Sequence, residues 1–301
     1  MPTIVPVRPI VAGFDGSPGG AAAAEYAAYL AELRGAPLHL IATVDLPLAG
    51  FLPIGMHDRY AIDDDEILAE VDTRLSTTVK RLQENHPKLT DITARQLTGG
   101  PAAVLVEESS RAAVTVVGSR GLGGFAGLLL GSVSAQLAAH GHGPVVVVRP
   151  PVTAAETPQA VTPAPNGPVI VGVDSSPGAQ FALRFAVDEA RRRHTRILAV
   201  HAFPVSRSAT RDQVAREEAA AASVLADAID PWLREPGVEI DRRTVASHNV
   251  EKTMIEQSAL GGLTVVGSRG VGGFAGLLLG SVSRALVHHA HGPVAVIHPT
   301  T

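Results

Sequence analysis

The sequence predicts an α/β fold built twice over: two tandem domains, each a parallel β-sheet with helices on both faces. Three observations carry this. The chain repeats itself, for GSRGLGGFAGLLLGSVS at residues 118–134 returns as GSRGVGGFAGLLLGSVS at 267–283, where only Leu122 gives way to Val271. In each half, short apolar runs alternate with helical patterns at the spacing that parallel strands and crossover helices require. And 301 residues suffice for two ordinary domains, at about 150 residues each.

Each half opens on a buried strand that ends in an aspartate. PIVAGFD from residue 9 and PVIVGVD from residue 168 stay apolar up to Asp15 and Asp174, and a Ser-Pro pair then starts an alanine-rich helix. LHLIATV (38–44) and RILAVHAF (196–203) follow as strands, then a variable stretch that is longer in the first half. Residues 63–86 and 216–233 read as helices, with acidic residues gathered at their starts where the helix dipole favours them. Residues 92–99 and 238–245 alternate like half-exposed strands, and 101–111 and 250–260 supply another helix. VTVVG (114–118) and LTVVG (263–267) are buried strands that lead straight into the repeated loop; a helix follows, and GPVVVVRP or GPVAVIHP closes the unit. Between the halves, residues 151–166 are proline-rich and lack apolar periodicity, as an extended, semi-rigid linker would. The expected domains span 1–150 and 167–301.

Composition narrows the function. Apolar residues at 46% supply two cores, and the absence of cysteine excludes disulfides, thiolate metal sites and a cysteine nucleophile. A formal charge of −4 with only Lys80, Lys88 and Lys252 as lysines gives no basic surface for nucleic acid. The proline-interrupted N-terminus lacks the pattern of a signal peptide, and no apolar run reaches the ~18 residues of a membrane span. Neither nucleic acid nor membrane is expected as a partner, and a cytoplasmic location is expected.

A glycine-rich loop that leaves the carboxyl end of a parallel strand and enters a helix is where open α/β sheets bind ligands. Backbone N–H groups at the helix start favour an anion such as phosphate, and Arg120 and Arg269 add a charged, forked donor. Ser132 and Ser134, like Ser281 and Ser283, place hydroxyls there. Asp15 and Asp174 should project at the same edge, to accept from a ribose hydroxyl or hold a cation beside the phosphates. Near-identity of the two loops inside halves that otherwise diverge argues against a role in packing alone. GLGGFA at 121–126 fits a dinucleotide fingerprint, but the acidic residue such a site wants is missing: the next strand ends in Arg149, and in the second half in His298. Without a lysine, neither loop is a P-loop. His140 and His142, and His288, His289 and His291, fall at helix C-termini where the dipole accounts for them. Asp63 to Glu66 reads as a solvated helix start and Arg191 to Arg193 as an exposed helix end.

Gly118-x2-Gly121-x9-Gly131-Ser132 and Gly267-x2-Gly270-x9-Gly280-Ser281 resemble the G-x2-G-x9-G-[ST] signature of the ATP-binding universal stress proteins. The first-strand aspartates, the Ser-Pro turn and the closing apolar strand are similar to the same family, most of all to its tandem members from actinobacteria. The resemblance implies a five-stranded Rossmann-like parallel sheet in each half, binding ATP, with Mg2+, at the carboxyl edge. Gly13, Asp15, Gly118, Arg120, Gly121, Gly131, Ser132, Val133 and Ser134 would surround the triphosphate and ribose. Gly172, Asp174, Gly267, Arg269, Gly270, Gly280, Ser281, Val282 and Ser283 would repeat the arrangement, with the adenine edge read by backbone at Val44 and Ala202. Val145 to Val148 and Val294 to Ile297 are continuously apolar yet expected at a sheet edge, which invites pairing. The resemblance implies that the halves join there as an internal pseudo-dimer, and a homodimer is a further expectation. The leading function is a nucleotide-dependent regulatory module in stress response. The alternatives are a slow ATPase or nucleotidyl-transferring enzyme, with Asp15 and Asp174 positioning metal or water, and a structural dimerisation protein with vestigial sites. No residue is marked as catalytic; any turnover is expected to be weak.

Overall fold

The computed structural model describes residues 7–44, 64–122, 129–150, 167–271 and 278–299. The expected linker at 151–166 and Asp63 lie outside the described residues. The first half runs β1 (Ile10–Gly13), α1 (Pro18–Arg34), β2 (Leu38–Val44), α2 (Asp64–Asn85), β3 (Ile92–Thr98), α3 (Pro101–Ser109), β4 (Val114–Gly118), α4 (Ser132–His140) and β5 (Val145–Val148). The second runs β6 (Val169–Gly172), α5 (Pro177–Arg193), β7 (Ile197–Pro204), α6 (Arg211–Ile229), β8 (Ile240–Ser247), α7 (Val250–Ser258), β9 (Leu263–Gly267), α8 (Ser281–His289) and β10 (Val294–Ile297).

Why these runs become central strands follows from their two apolar faces. Ile10, Ala12, Leu38, Leu40, Val114 and Val116 belong to the core under α1 and α2, while Val11, Ile41 and Val117 between them face the layer that contains Leu105 of α3 and Leu137 of α4. Helix starts are fixed by side chains. Ser17 caps α1 by accepting from Gly20 N at 2.9 Å, and Ser176 caps α5 by accepting from Ala179 N at 3.3 Å, each with proline as the first helical residue. Helix α6 starts at Arg211, earlier than the expected 216, because Thr210 and Gln213 form a reciprocal capping box. It stops at Ile229 rather than 233, where Asp230–Trp232, with Pro231 inside, turns as a 3-10 helix.

All strands within a half are parallel, in the order β3-β2-β1-β4-β5, and the second half mirrors it as β10-β9-β6-β7-β8. β5 and β10 are the edge strands of their own halves and join there as the resemblance implied. β5 and β10 pair antiparallel, Val145 with Val296, Val146 with Ala295 and Val147 with Val294, so the halves share one ten-stranded sheet. A pairing of this kind covers the exposed rows of N–H and C=O groups that both apolar strands would otherwise present.

Helices α1 and α5 complete the contact between halves through a buried ionic cluster. Glu189 is fully buried, and it takes Arg34 of the first half on one oxygen and Arg193 Nε at 2.9 Å on the other. Arg193 also donates to the Tyr26 hydroxyl at 2.7 Å and lies over the Tyr29 ring at 5.3 Å, while Arg34 lies over Phe185 at 5.6 Å. Burial pushes the Tyr26 phenol up to about 12, against the opposing pull of Arg193. The expectation of an exposed arginine run is therefore wrong for Arg193, whose side chain is 3% accessible. Sequence alone gives no sign that Tyr26 and Tyr29 of the first half cover it.

Candidate functional site

At the carboxyl edge of each half, β4 or β9 passes through the signature loop into α4 or α8. An aspartate latches that loop. Asp15 Oδ1 accepts from Ser17 N at 3.0 Å and Ser17 Oγ at 2.6 Å, while Oδ2 accepts from Leu122 N at 2.9 Å. Asp174 repeats this with Ser176 N at 3.0 Å, the Ser176 hydroxyl, and Val271 N at 3.0 Å. Charge-assisted bonds of this sort hold geometry more firmly than neutral ones. The aspartates do project at the expected edge, but three protein donors already engage each carboxylate, so its first task is to tie the loop to the start of α1 or α5.

The signature glycines divide by what surrounds them. A Cβ on Gly118 would lie 2.4 Å from the Gly19 backbone, and one on Gly121 would lie 2.3 Å from Asp15 Oδ2. These two are glycine because the fold leaves no room. A Cβ on Gly131 would meet nothing nearer than 3.6 Å, and one on Gly280 nothing nearer than 3.5 Å. Protein packing makes no demand there.

Gly131 and Gly280 are also the N-caps of α4 and α8, and neither helix start has a side-chain cap. The first-turn N–H groups of Ser132, Val133 and Ser134, and of Ser281, Val282 and Ser283, are left without the partner that Ser17 and Ser176 give α1 and α5. Ser134 Oγ instead donates to the Gly118 carbonyl at 2.5 Å, and Ser283 Oγ to that of Gly267 at 2.6 Å, so these hydroxyls brace the turn. Arg120 and Arg269 are exposed, and among the described residues neither forms an ion pair. An uncapped helix start beside an unpaired arginine is a place for an anion.

In the second half these parts surround a cleft of about 910 Å³. Every second-half residue expected at the site lines it, from Gly172 and Asp174 through Ala202 to both ends of the signature loop. His201, His248 and Asn249 also line it, and sequence reasoning did not name them. His201 Nδ1 lies 2.6 Å from the Val173 carbonyl and His248 Nδ1 2.9 Å from that of Val205. Their counterparts in the first half are not histidines, so repetition could not point to them. In the first half, Gly13 ends β1 beside the Asp15 latch, and Gly118 and Arg120 lead out of β4. The strand register corrects one pairing: Gly13 lies beside Ile41 and Gly172 beside Val200, so Ala202 corresponds to Thr43. Val44 stands one residue further along and on the opposite face of the sheet.

The description "Universal stress protein family" belongs to the family model that matches residues 6–149 and again 165–298. The chain belongs to the universal stress protein family. Two proteins of Mycobacterium tuberculosis, universal stress protein Rv2005c and universal stress protein Rv2623, are each 34% identical to it, over 95% of this chain and 96% and 95% of their own lengths. A crystal structure of a universal stress protein from Archaeoglobus fulgidus shares the fold, with a TM-score of 0.63, 19% identity, and 96% of this chain and 98% of that one covered. The tandem arrangement of this universal stress protein is thus common to full-length relatives. Among its described residues no helix is long and apolar enough to cross a membrane.

Proposed function

We propose that this universal stress protein is a nucleotide-dependent regulatory module that binds one ATP in each half, and that occupancy changes its shape or its partners. The observation that carries the reading is the second-half cleft, where an uncapped helix start, an unpaired arginine and a glycine with free space on its Cβ side converge. Its volume of about 910 Å³ falls within the ~300–1,000 Å³ of small-molecule sites. The triphosphate would lie over the first turns of α4 and α8, with Arg120 and Arg269 against it. Mg2+ would arrive with the phosphates, which supply most of its ligands in such sites. Asp15 and Asp174 fit as a partial carboxylate ligand, since Oδ2 takes one protein N–H and keeps a lone pair.

Regulation is favoured over turnover because each aspartate, the candidate for activating water, is already bound by three donors. The test is to denature the purified protein, identify the released nucleotide by mass spectrometry, and follow ATP by calorimetry and single-turnover assay. Expected are an adenine nucleotide, one binding event per half and negligible hydrolysis. Rapid single-turnover cleavage would favour the enzyme reading, and absence of binding the structural one.

A further inference from the structure

Each closing strand is followed by a basic side chain that reaches out of its own half. Arg149, after β5, donates through Nη2 to the Val287 carbonyl in α8 at 2.7 Å. His298, after β10, stands at the matching place, with Nε2 3.0 Å from the Ala138 carbonyl in α4 and Nδ1 3.0 Å from the Gly143 carbonyl. Ala138 and Val287 hold the same position in their helices. Each of these side chains also feels the arginine of its own signature loop, Arg120 acting on Arg149 and Arg269 on His298. The crossing contact is duplicated, but with a permanent charge on one side and a titratable ring on the other.

His298 is 9% accessible and faces two acceptors. A neutral imidazole has one N–H, so when it donates to one carbonyl its lone pair confronts the other; only the imidazolium serves both. Charging is opposed first by burial and favoured next by the Gly143 and Ala138 carbonyls, while His142 and Arg269 oppose it more weakly; the ring lies below the ordinary histidine value. An anion against Arg269 would cancel that repulsion and add an attraction of its own.

We infer that His298 couples nucleotide binding in the second half to proton uptake, while Arg149 leaves the first half uncoupled, so that two sites sharing one signature respond differently to pH. This rests on reading the cleft as a polyphosphate site.

The test follows the histidine Cε1–H resonances of the full chain from pH 5 to 8, with and without saturating ATP, the His298 signal being the one lost in H298R. Arginine is chosen because Arg149 fills the mirrored place. His298 should titrate below the ordinary ~6.5 in the free protein and move upward by ~0.5 unit or more with ATP. R269Q should raise the free value and shrink the ATP-induced rise. Calorimetry near pH 6.5 in buffers of different ionisation enthalpy should show proton uptake in the wild type beyond that in H298R, which controls for protonation of ATP itself. ATP that binds both halves without moving the His298 titration overturns the inference and leaves the nucleotide reading intact. Failure of ATP to bind at all overturns both.

Discussion

Gly131 and Gly280 are signature glycines that the protein's own packing does not require, and this separates them from their neighbours. G131A and G280A should leave stability within about 0.5 kcal/mol of wild type, since the added methyl meets nothing nearer than 3.6 and 3.5 Å. Each should weaken ATP at its own site by about tenfold or more, the methyl standing where backbone and phosphate meet. Two-site calorimetry checks this, and unchanged affinity in both variants would remove the loops from the site. G121A should instead lose stability, because its methyl would intrude on Asp15. A second residue-scale prediction concerns acid. His298 has a folded-state pKa below its unfolded value, so the unfolded chain takes up the proton more readily. Its contribution to stability is complete above about pH 6.5, falls as the pH drops through that value, and levels off below the folded-state pKa. Urea midpoints measured from pH 5 to 8 should fall more steeply in the wild type than in H298Q. At this scale the sequence was informative where letters repeat: the signature residues, the aspartates and the Ser-Pro turn all meet at one edge. It was silent on roles set by distant backbone. Nothing near Asp15 in sequence announces that Leu122 N will occupy its Oδ2.

The strands and helices were legible because each has a local cause: two apolar faces, a capping serine, or a proline at the first helical residue. Boundaries failed where the cause lay outside the apolar pattern, as at Thr210 and Gln213, whose capping box adds a polar first turn to α6. The partner of β5 was legible only through resemblance, for four consecutive valines say that both faces are covered but not by what. V147P tests the seam. Val147 sits between Val117 of β4 and Val294 of β10, where a proline removes a ladder hydrogen bond and its ring disturbs the strand. The halves should loosen, read as a larger radius by small-angle scattering and faster proteolysis between 151 and 166, with the signature loops retained. An unchanged profile and unchanged cleavage would mean that the seam does not hold the halves together.

For the molecule as a whole, α1 and α5 add a lock that the seam lacks. Their matching positions pair Arg34 with Arg193 and Tyr26 with Phe185, but Leu30 with Glu189, so one carboxylate serves two arginines across the contact. E189L should cost about 3–5 kcal/mol in urea unfolding, because it strands two buried cations. Replacing Arg34 and Arg193 with methionine in the same variant should recover most of that loss; failure to recover it would mean that shape, not charge, sets the contact. The antiparallel seam has another consequence. Since the strands of one half run against those of the other, their carboxyl ends look out from opposite rims of the shared sheet, and the two mouths face away from each other. A single flat partner can inspect only one of them, whereas two partners can dock at once without meeting. On the proposed reading, filling either, both or neither would give the chain four distinct outward appearances.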